Sequence, residues 1–255
     1  MNLVIASGFL VPQRLLGVEY FRGLQAHLEQ AGVHTARFPL VPPVGTCESR
    51  ARVLADAIRQ DFPAGAVHII AHSMGGLDSR LLIARNLHGL SEPGRIASLT
   101  TLSTPHRGSP LADLLVGPRP GNGRRLIYDG ISQAIGLLGV DIGALADLTT
   151  EGAARVPDTR QTHPHIRYRS YFASGRRGLL PTCFALAATH HYVSAVTGQV
   201  NDGVVALDSA RYGEFQEPLW QCDHIDITGH NLDTADLGGF QFDHLAAFDA
   251  IISGL

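Results

Sequence analysis

The run Val67-His68-Ile69-Ile70-Ala71 leads directly into His72-Ser73-Met74-Gly75-Gly76, and a stretch with helical character continues to residue 86. An apolar strand, a serine on a sharp turn and a helix in immediate succession form the setting of a nucleophile elbow. Such a turn holds the serine backbone in a strained conformation, so the residues close beside it must be small. Gly75 meets that need two positions after Ser73. Ala71, two positions before it, stands where glycine is more usual and is still small enough. The helix that follows aims its N-terminal dipole and unpaired N–H groups at any oxyanion forming on the serine side. The expected fold class is therefore α/β, with Ser73 at the carboxyl edge of a mostly parallel sheet.

The surrounding pattern agrees with that class. Short apolar runs alternate with helical periodicity in the first half, as a parallel sheet with crossover helices requires. Residues 3–6 read as a buried strand ending at Gly8. Residues 18–30 read as a helix, and 33–38 as a second strand. Thr46 is placed to cap a helix, with Glu48 suited to the positive end of its dipole and Val53, Leu54, Ala57 and Ile58 as its apolar face. Residues 67–71, 96–102 and 166–173 supply further strands, 218–222 the last one, and 240–252 a closing helix. Between 118 and 164 the alternation breaks around Gly117-Pro118-Arg119-Pro120-Gly121. That segment reads as an insertion over one end of the sheet within a single domain spanning 1–255.

A serine hydroxyl is a weak nucleophile at neutral pH and needs a base that is itself oriented by a carboxylate. In an α/β-hydrolase these follow in the order Ser, acid, His. Asp202, in the turn Asn201-Asp202-Gly203, is the expected acid, with Asp208 and Asp223 as alternatives. His224, just past the expected last strand, is the expected base, and His230 its rival on the same loop. The oxyanion hole needs one backbone N–H from the residue after the nucleophile, here Met74, and one from the first strand–helix loop, where Phe9 follows Gly8. His106, in Thr104-Pro105-His106-Arg107-Gly108, precedes the acid in sequence, so it is assigned a structural or pocket-lining role. His72, beside the nucleophile, is also expected at the pocket.

Composition excludes other classes. With 45% hydrophobic and 17% charged residues, the chain has enough apolar surface to offset the entropy of ordering. Twenty Lys and Arg against 23 Asp and Glu give a net charge of −3, and no basic run offers a field for nucleic acid. No stretch reaches the roughly 18 apolar residues of a membrane span, so stable membrane insertion is not expected. The apolar start, 1–12, lacks a leading Lys or Arg and a small-x-small cleavage site, which favours a buried first strand over a signal peptide. The three cysteines, Cys47, Cys183 and Cys222, follow no metal spacing. Three unpaired thiols suit a reducing cytosol, with a Cys183–Cys222 bridge as the alternative. The expected location is cytoplasmic; oligomeric state is not legible.

With these residues placed, the chain resembles the bacterial true lipases related to the Pseudomonas and Burkholderia triacylglycerol lipases. The resemblance rests on Ser7-Gly8-Phe9 with Leu16-Gly17-Val18-Glu19-Tyr20-Phe21, on Ala71 to Gly76, on Ser103 to Pro110, and on Leu148-Thr149-Thr150-Glu151-Gly152-Ala153. The segments at Asn201-Asp202-Gly203 and His224-Ile225-Asp226 match the family's acid and base regions. It implies an α/β-hydrolase core, hydrolysis of acyl esters, and a helical lid within the 118–164 insertion, with Ile135, Leu137 and Leu138 on its apolar, substrate-facing surface. A fixed helix burying those residues is the alternative. Three departures stand out. Ser7-Gly8 replaces the family's His-Gly. The cysteine expected after the acid is replaced by Ala206-Leu207-Asp208. The family's calcium is held by two aspartates, of which Asp226 matches one while the stretch around Thr182 and Cys183 offers no clear second. No cofactor is expected, and calcium, though possible at Asp226, is not expected to be required. The expected partner is a small-molecule, lipid or polyester substrate. Depolymerisation of aliphatic polyesters is the rival activity, and a ligand-binding hydrolase fold without activity is the rival from outside enzymes.

Overall fold

The computed structural model describes residues 1–9, 14–15, 18–118, 121, 125, 128–130, 132–133, 142–176, 181–230 and 242–255. Along the chain run β1 (Asn2–Ala6), β2 (Arg14–Leu15), β3 (Val18–Glu19), α1 (Leu24–Gln30), β4 (Ala36–Arg37), α2 (Cys47–Asp61), β5 (Val67–His72), α3 (Met74–Ala84), β6 (Ile96–Leu102) and α4 (Pro110–Val116). After them come α5 (Thr150–Ala154), β7 (Arg167–Tyr171), α6 (Phe184–Thr197), α7 (Leu207–Ala210), β8 (Glu214–Phe215) and α8 (His244–Ser253). Six strands form one sheet in the order β4-β1-β5-β6-β7-β8, every neighbouring pair parallel. The pair β2–β3 is a separate antiparallel ribbon.

A parallel sheet is covered on both faces, so its strands are apolar nearly throughout. Alternate side chains then serve opposite layers. Val4, Ala6, Ile69 and Ala71 pack with α2 and α3 through Leu54, Ile58, Leu77 and Leu82. Leu3, Ile5 and Ile70 pack with α1 and α8 through Leu24, Leu28, Phe248 and Ile251. The register Ala6↔Ala71 and His72↔Leu102 brings the carboxyl ends of β1, β5 and β6 side by side. The site lies at that edge.

Several local expectations are corrected. Residues 18–30 are not one helix: Val18–Glu19 pairs with Arg14–Leu15, and α1 begins only after Gly23, whose φ of 69° breaks helical geometry. The strand expected over 33–38 shrinks to Ala36–Arg37 at the sheet edge. On α2, Thr46 does cap by accepting from the Ser49 N–H at 3.2 Å, but the buried stripe is Cys47, Arg50, Ala51, Leu54, Ala55 and Ile58, with Val53 and Ala57 only half-buried. The last strand is Glu214–Phe215; 218–222 contributes only the single bridge Ala173↔Trp220. All three cysteines are free and buried.

Of residues 118–164, expected to form an insertion, the described downstream part is tied to the frame. The 3-10 helix Ile142–Leu148 buries Leu145 against Leu115 of α4, beside Phe9 and Tyr128. Asp147 accepts from the Cys47 N–H at 2.6 Å, and Asp113 accepts from the Thr150 N–H at 2.8 Å. Ile135, Leu137 and Leu138, expected on a lid, lie outside the described residues.

Candidate active site

β5 ends at His72, and α3 starts at Met74 with only Ser73 between them. To turn that quickly Ser73 adopts φ 55° and ψ −128°, a region that side chains rarely occupy. The strain is held by tight surroundings. A Cβ on Gly75 would come within 2.7 Å of the Ser7 carbonyl oxygen, and one on Gly8 within 2.8 Å of the Ser73 Cβ. The first loop therefore passes directly against the serine. Behind it, Thr104 Oγ1 donates to the Ser73 carbonyl at 2.8 Å. Ala71 is fully buried.

The base arrives from 151 residues away. His224 Nε2 lies 3.0 Å from Ser73 Oγ, and His224 Nδ1 lies 2.7 Å from Asp202 Oδ2. A carboxylate only accepts, so the imidazole proton is on Nδ1 and the Nε2 lone pair faces the serine hydroxyl. Asp202 is held in turn: its Oδ1 accepts from the N–H groups of Val204 at 3.0 Å and Val205 at 2.7 Å, and its backbone carbonyl accepts from the His224 N–H at 3.0 Å. Gly203, with φ 97°, lets the turn fold back on the carboxylate. Asp202 is wholly buried, while Ser73 and His224 each keep 8% exposure. The trio is preorganised, with its carboxylate end sealed from solvent.

The alternatives raised by the sequence are engaged elsewhere. His230 Nε2 bonds the Glu19 carbonyl at 2.7 Å, so that nitrogen is a donor. Asp208 accepts from Gln199 Nε2 at 2.9 Å, and Asp223 accepts from the N–H groups of Cys183, Ile225 and Asp226. His106 is buried, bonds Thr101 Oγ1 at 3.1 Å and stacks on Tyr212 at 4.4 Å between centroids. Burial, then the cations of Arg80 and Arg107, keep it neutral.

His72 is corrected from pocket to support. It is 2% exposed, its Nδ1 lies 2.8 Å from the Tyr20 hydroxyl, and its ring packs 4.6 Å from that of His224. Burial and the neighbouring His224 hold its pKa well below the usual imidazole value. A neutral ring here adds no charge to repel an imidazolium on His224.

Comparison with known proteins places this arrangement in a lineage. Residues 44–115 match the family model of the PGAP1-like alpha/beta domain. Over 222 residues the chain is 31% identical to Triacylglycerol lipase 2 of Saccharomyces cerevisiae, covering 84% of this chain and 63% of that protein. Over 260 residues it is 25% identical to a Triacylglycerol lipase of Vibrio cholerae, covering 88% of this chain and 78% of that one. The chain is thus similar in sequence to triacylglycerol lipases. It spans less than two thirds of the yeast relative's length. The fold is shared with the mature form of the Bacillus licheniformis lipase BlEst2, with a TM-score of 0.66 at 23% identity over 91% of this chain and 87% of that one.

The structure adds residues that sequence reasoning passed over. Arg50 is fully buried; its Nε donates to Asp78 Oδ2 at 2.8 Å, and its Nη2 donates to the carbonyls of Ser7 at 2.8 Å and Gly8 at 3.0 Å. It also donates to the Pro42 carbonyl. The loop that lies against Ser73 is thus clamped from below. Burial raises the Asp78 pKa to about 6, and Arg50 opposes that rise. A signal was present in the sequence: Arg50, Leu54 and Ile58 lie four residues apart, on one helical stripe. Tyr20, part of the family match, carries no mark of its role as the His72 partner.

Proposed function

We propose that the chain is a serine hydrolase of carboxylic esters with hydrophobic acyl groups, acting through an acyl-enzyme on Ser73. The observation that carries this reading is the unbroken relay from Ser73 Oγ through His224 to Asp202, with both contacts at hydrogen-bond distance. Ser73 Oγ attacks the ester carbonyl carbon as its proton passes to His224 Nε2. Asp202 keeps the imidazole oriented and stabilises the cation that forms. The oxyanion is received by the N–H groups of Met74 and Phe9. Met74 opens α3, where backbone N–H groups have no intrahelical partner, and Phe9 follows the glycine packed against Ser73. Collapse breaks the bond to the alcohol, which leaves with the proton from His224. Water then attacks the acyl-enzyme as His224 takes one of its protons, and the carboxylic acid departs. Among the described residues no helix is long and apolar enough to cross a membrane.

A fluorophosphonate probe followed by peptide mass analysis tests the nucleophile; the adduct is expected on Ser73 and nowhere else. A panel from short p-nitrophenyl esters through triacylglycerol emulsions to aliphatic polyester films tests the substrate class. Turnover of films alone would reassign the chain to polyester depolymerisation. An unlabelled, inactive protein would end the hydrolase reading.

A further inference from the structure

The loop that carries His224 is wound around two carboxylates. Asp223 Oδ1 accepts from the N–H groups of Ile225 at 2.8 Å and Asp226 at 2.9 Å, and the Asp223 N–H donates to Asp226 Oδ2 at 2.8 Å. Asp223 Oδ2 also accepts from the Cys183 N–H at 2.6 Å, which ties the turn to the start of α6. The Asp223 side chain is fully buried and that of Asp226 is 9% exposed. Two such carboxylates side by side repel in a low dielectric and require a cation.

Arg176 supplies it. Its Nε donates to Asp226 Oδ2 at 2.7 Å and its Nη2 to Asp226 Oδ1 at 2.5 Å, a bidentate clasp, while Nη2 also lies 3.4 Å from Asp223 Oδ2. The Arg176 side chain is 10% exposed. Its backbone is fixed as well: the Gly175 N–H donates to the Cys222 carbonyl at 2.9 Å and the Arg176 N–H to the Pro181 carbonyl at 2.5 Å.

This is the region where the family resemblance implied calcium through Asp226. The residues present do not fit that ion. Calcium takes about six to eight oxygens, yet all four carboxylate oxygens here already accept from N–H donors. Among the described residues, no group of three or more His, Cys, Asp or Glu side chains is arranged for a metal.

We infer that Arg176 is a positioning residue for the base: its guanidinium is the built-in cation that locks the His224 loop, in the place of the metal used by related lipases. This rests on His224 acting as the base. The lock aligns Nε2 with Ser73 without touching substrate, so its loss acts on kcat and leaves KM in place. Metal chelation has nothing to remove.

Wild type and Arg176→Ala are compared on a short p-nitrophenyl ester with EDTA, with added calcium, and with low-millimolar guanidinium chloride. The wild type is expected to keep its rate in EDTA and in calcium. Arg176→Ala is expected to lose about 10- to 100-fold in kcat at constant KM, since small misplacements of reacting groups cost that much. Guanidinium should restore part of that loss in Arg176→Ala and nothing in wild type. Inactivation of the wild type by EDTA with recovery in calcium would overturn the inference, as would wild-type kcat in Arg176→Ala. If Arg176→Ala does not fold, Asp226→Asn reads the same clasp: a fall in kcat at constant KM supports it and an unchanged kcat overturns it. Fluorophosphonate labelling of the wild type separates these outcomes from a failure of the hydrolase reading, because labelling depends on Ser73 whatever holds the loop.

Discussion

Ser73 and the loop against it belong to the central strands β1 and β5 and to α3, whereas Asp202 and His224 hang on connections beyond β7 and β8. Each side is anchored by an arginine on a carboxylate, fully buried for Arg50 and half-buried for Arg176, but the arginines do different things. Arg50 reaches from α2 to Asp78 on α3 and spends its remaining donors on the loop carbonyls of Ser7, Gly8 and Pro42, so the loop against the nucleophile is fastened to two helices. Arg176 sits on a loop and clasps a loop, which Asp223 ties in turn to the start of α6. The strained turn needs a rigid bed because its geometry is costly; the imidazole needs only to be aimed.

The largest test of that division removes the reacting groups. Ser73→Ala and His224→Ala are each expected to lower kcat by about 10⁶-fold, and Asp202→Asn by about 10⁴-fold, on a p-nitrophenyl ester. His230→Ala, whose Nε2 bonds the Glu19 backbone carbonyl, should stay within a few-fold of wild type; a loss matching that of His224→Ala would reassign the base. Next in size, Arg50→Gln leaves Asp78 buried without its partner. A loss of about 3–5 kcal/mol in denaturant unfolding is expected, far more than an arginine on a surface loop would show. Wild-type stability in that variant would mean that the two anchors are equivalent and the frame does not depend on Arg50.

The smallest effect concerns pH. His72 and His106 are held neutral by burial, with His224 adding to the effect at His72 and Arg80 at His106. In the unfolded chain both are free to take up a proton near their ordinary value of about 6.5. Their contribution to stability is therefore complete above that pH and declines below it, by up to about 1.4 kcal/mol per pH unit for each ring. Urea midpoints at pH 7.5 and pH 5.5 should show the decline. His106→Gln should flatten it, and an unchanged slope would exclude that ring as a source.

What could be read from sequence follows the same division. The bed of the nucleophile was legible because it is local: β1, β5, β6, the Thr46 cap and the Ser73 turn each announce themselves within a few residues. Asp202 and His224 could be picked from turn chemistry and chain order, though Asp208, Asp223 and His230 satisfied the same criteria until distances separated them. The two-residue strand β8 is too short for any periodicity to reveal, and β4 is only the end of the stretch that reads as a strand. Residues 218–222 have strand composition, but form a strand bridge only at Trp220, with Ala173. Arg50, Tyr20 and Arg176 gain their roles from atoms far away in sequence, and residue type alone does not convey that.

The three sheltered thiols offer a way to watch the two sides move independently. Burial raises all three pKa values, Cys183 to about 12 with Asp223 adding to the effect, so none is a reactive thiolate at neutral pH. Alkylation then reports exposure alone. Cys47 lies at the head of α2, while Cys183 and Cys222 flank the turn that presents the imidazole. Site-resolved labelling rates thus give two clocks in one unmodified chain, and the pair around the imidazole should run faster.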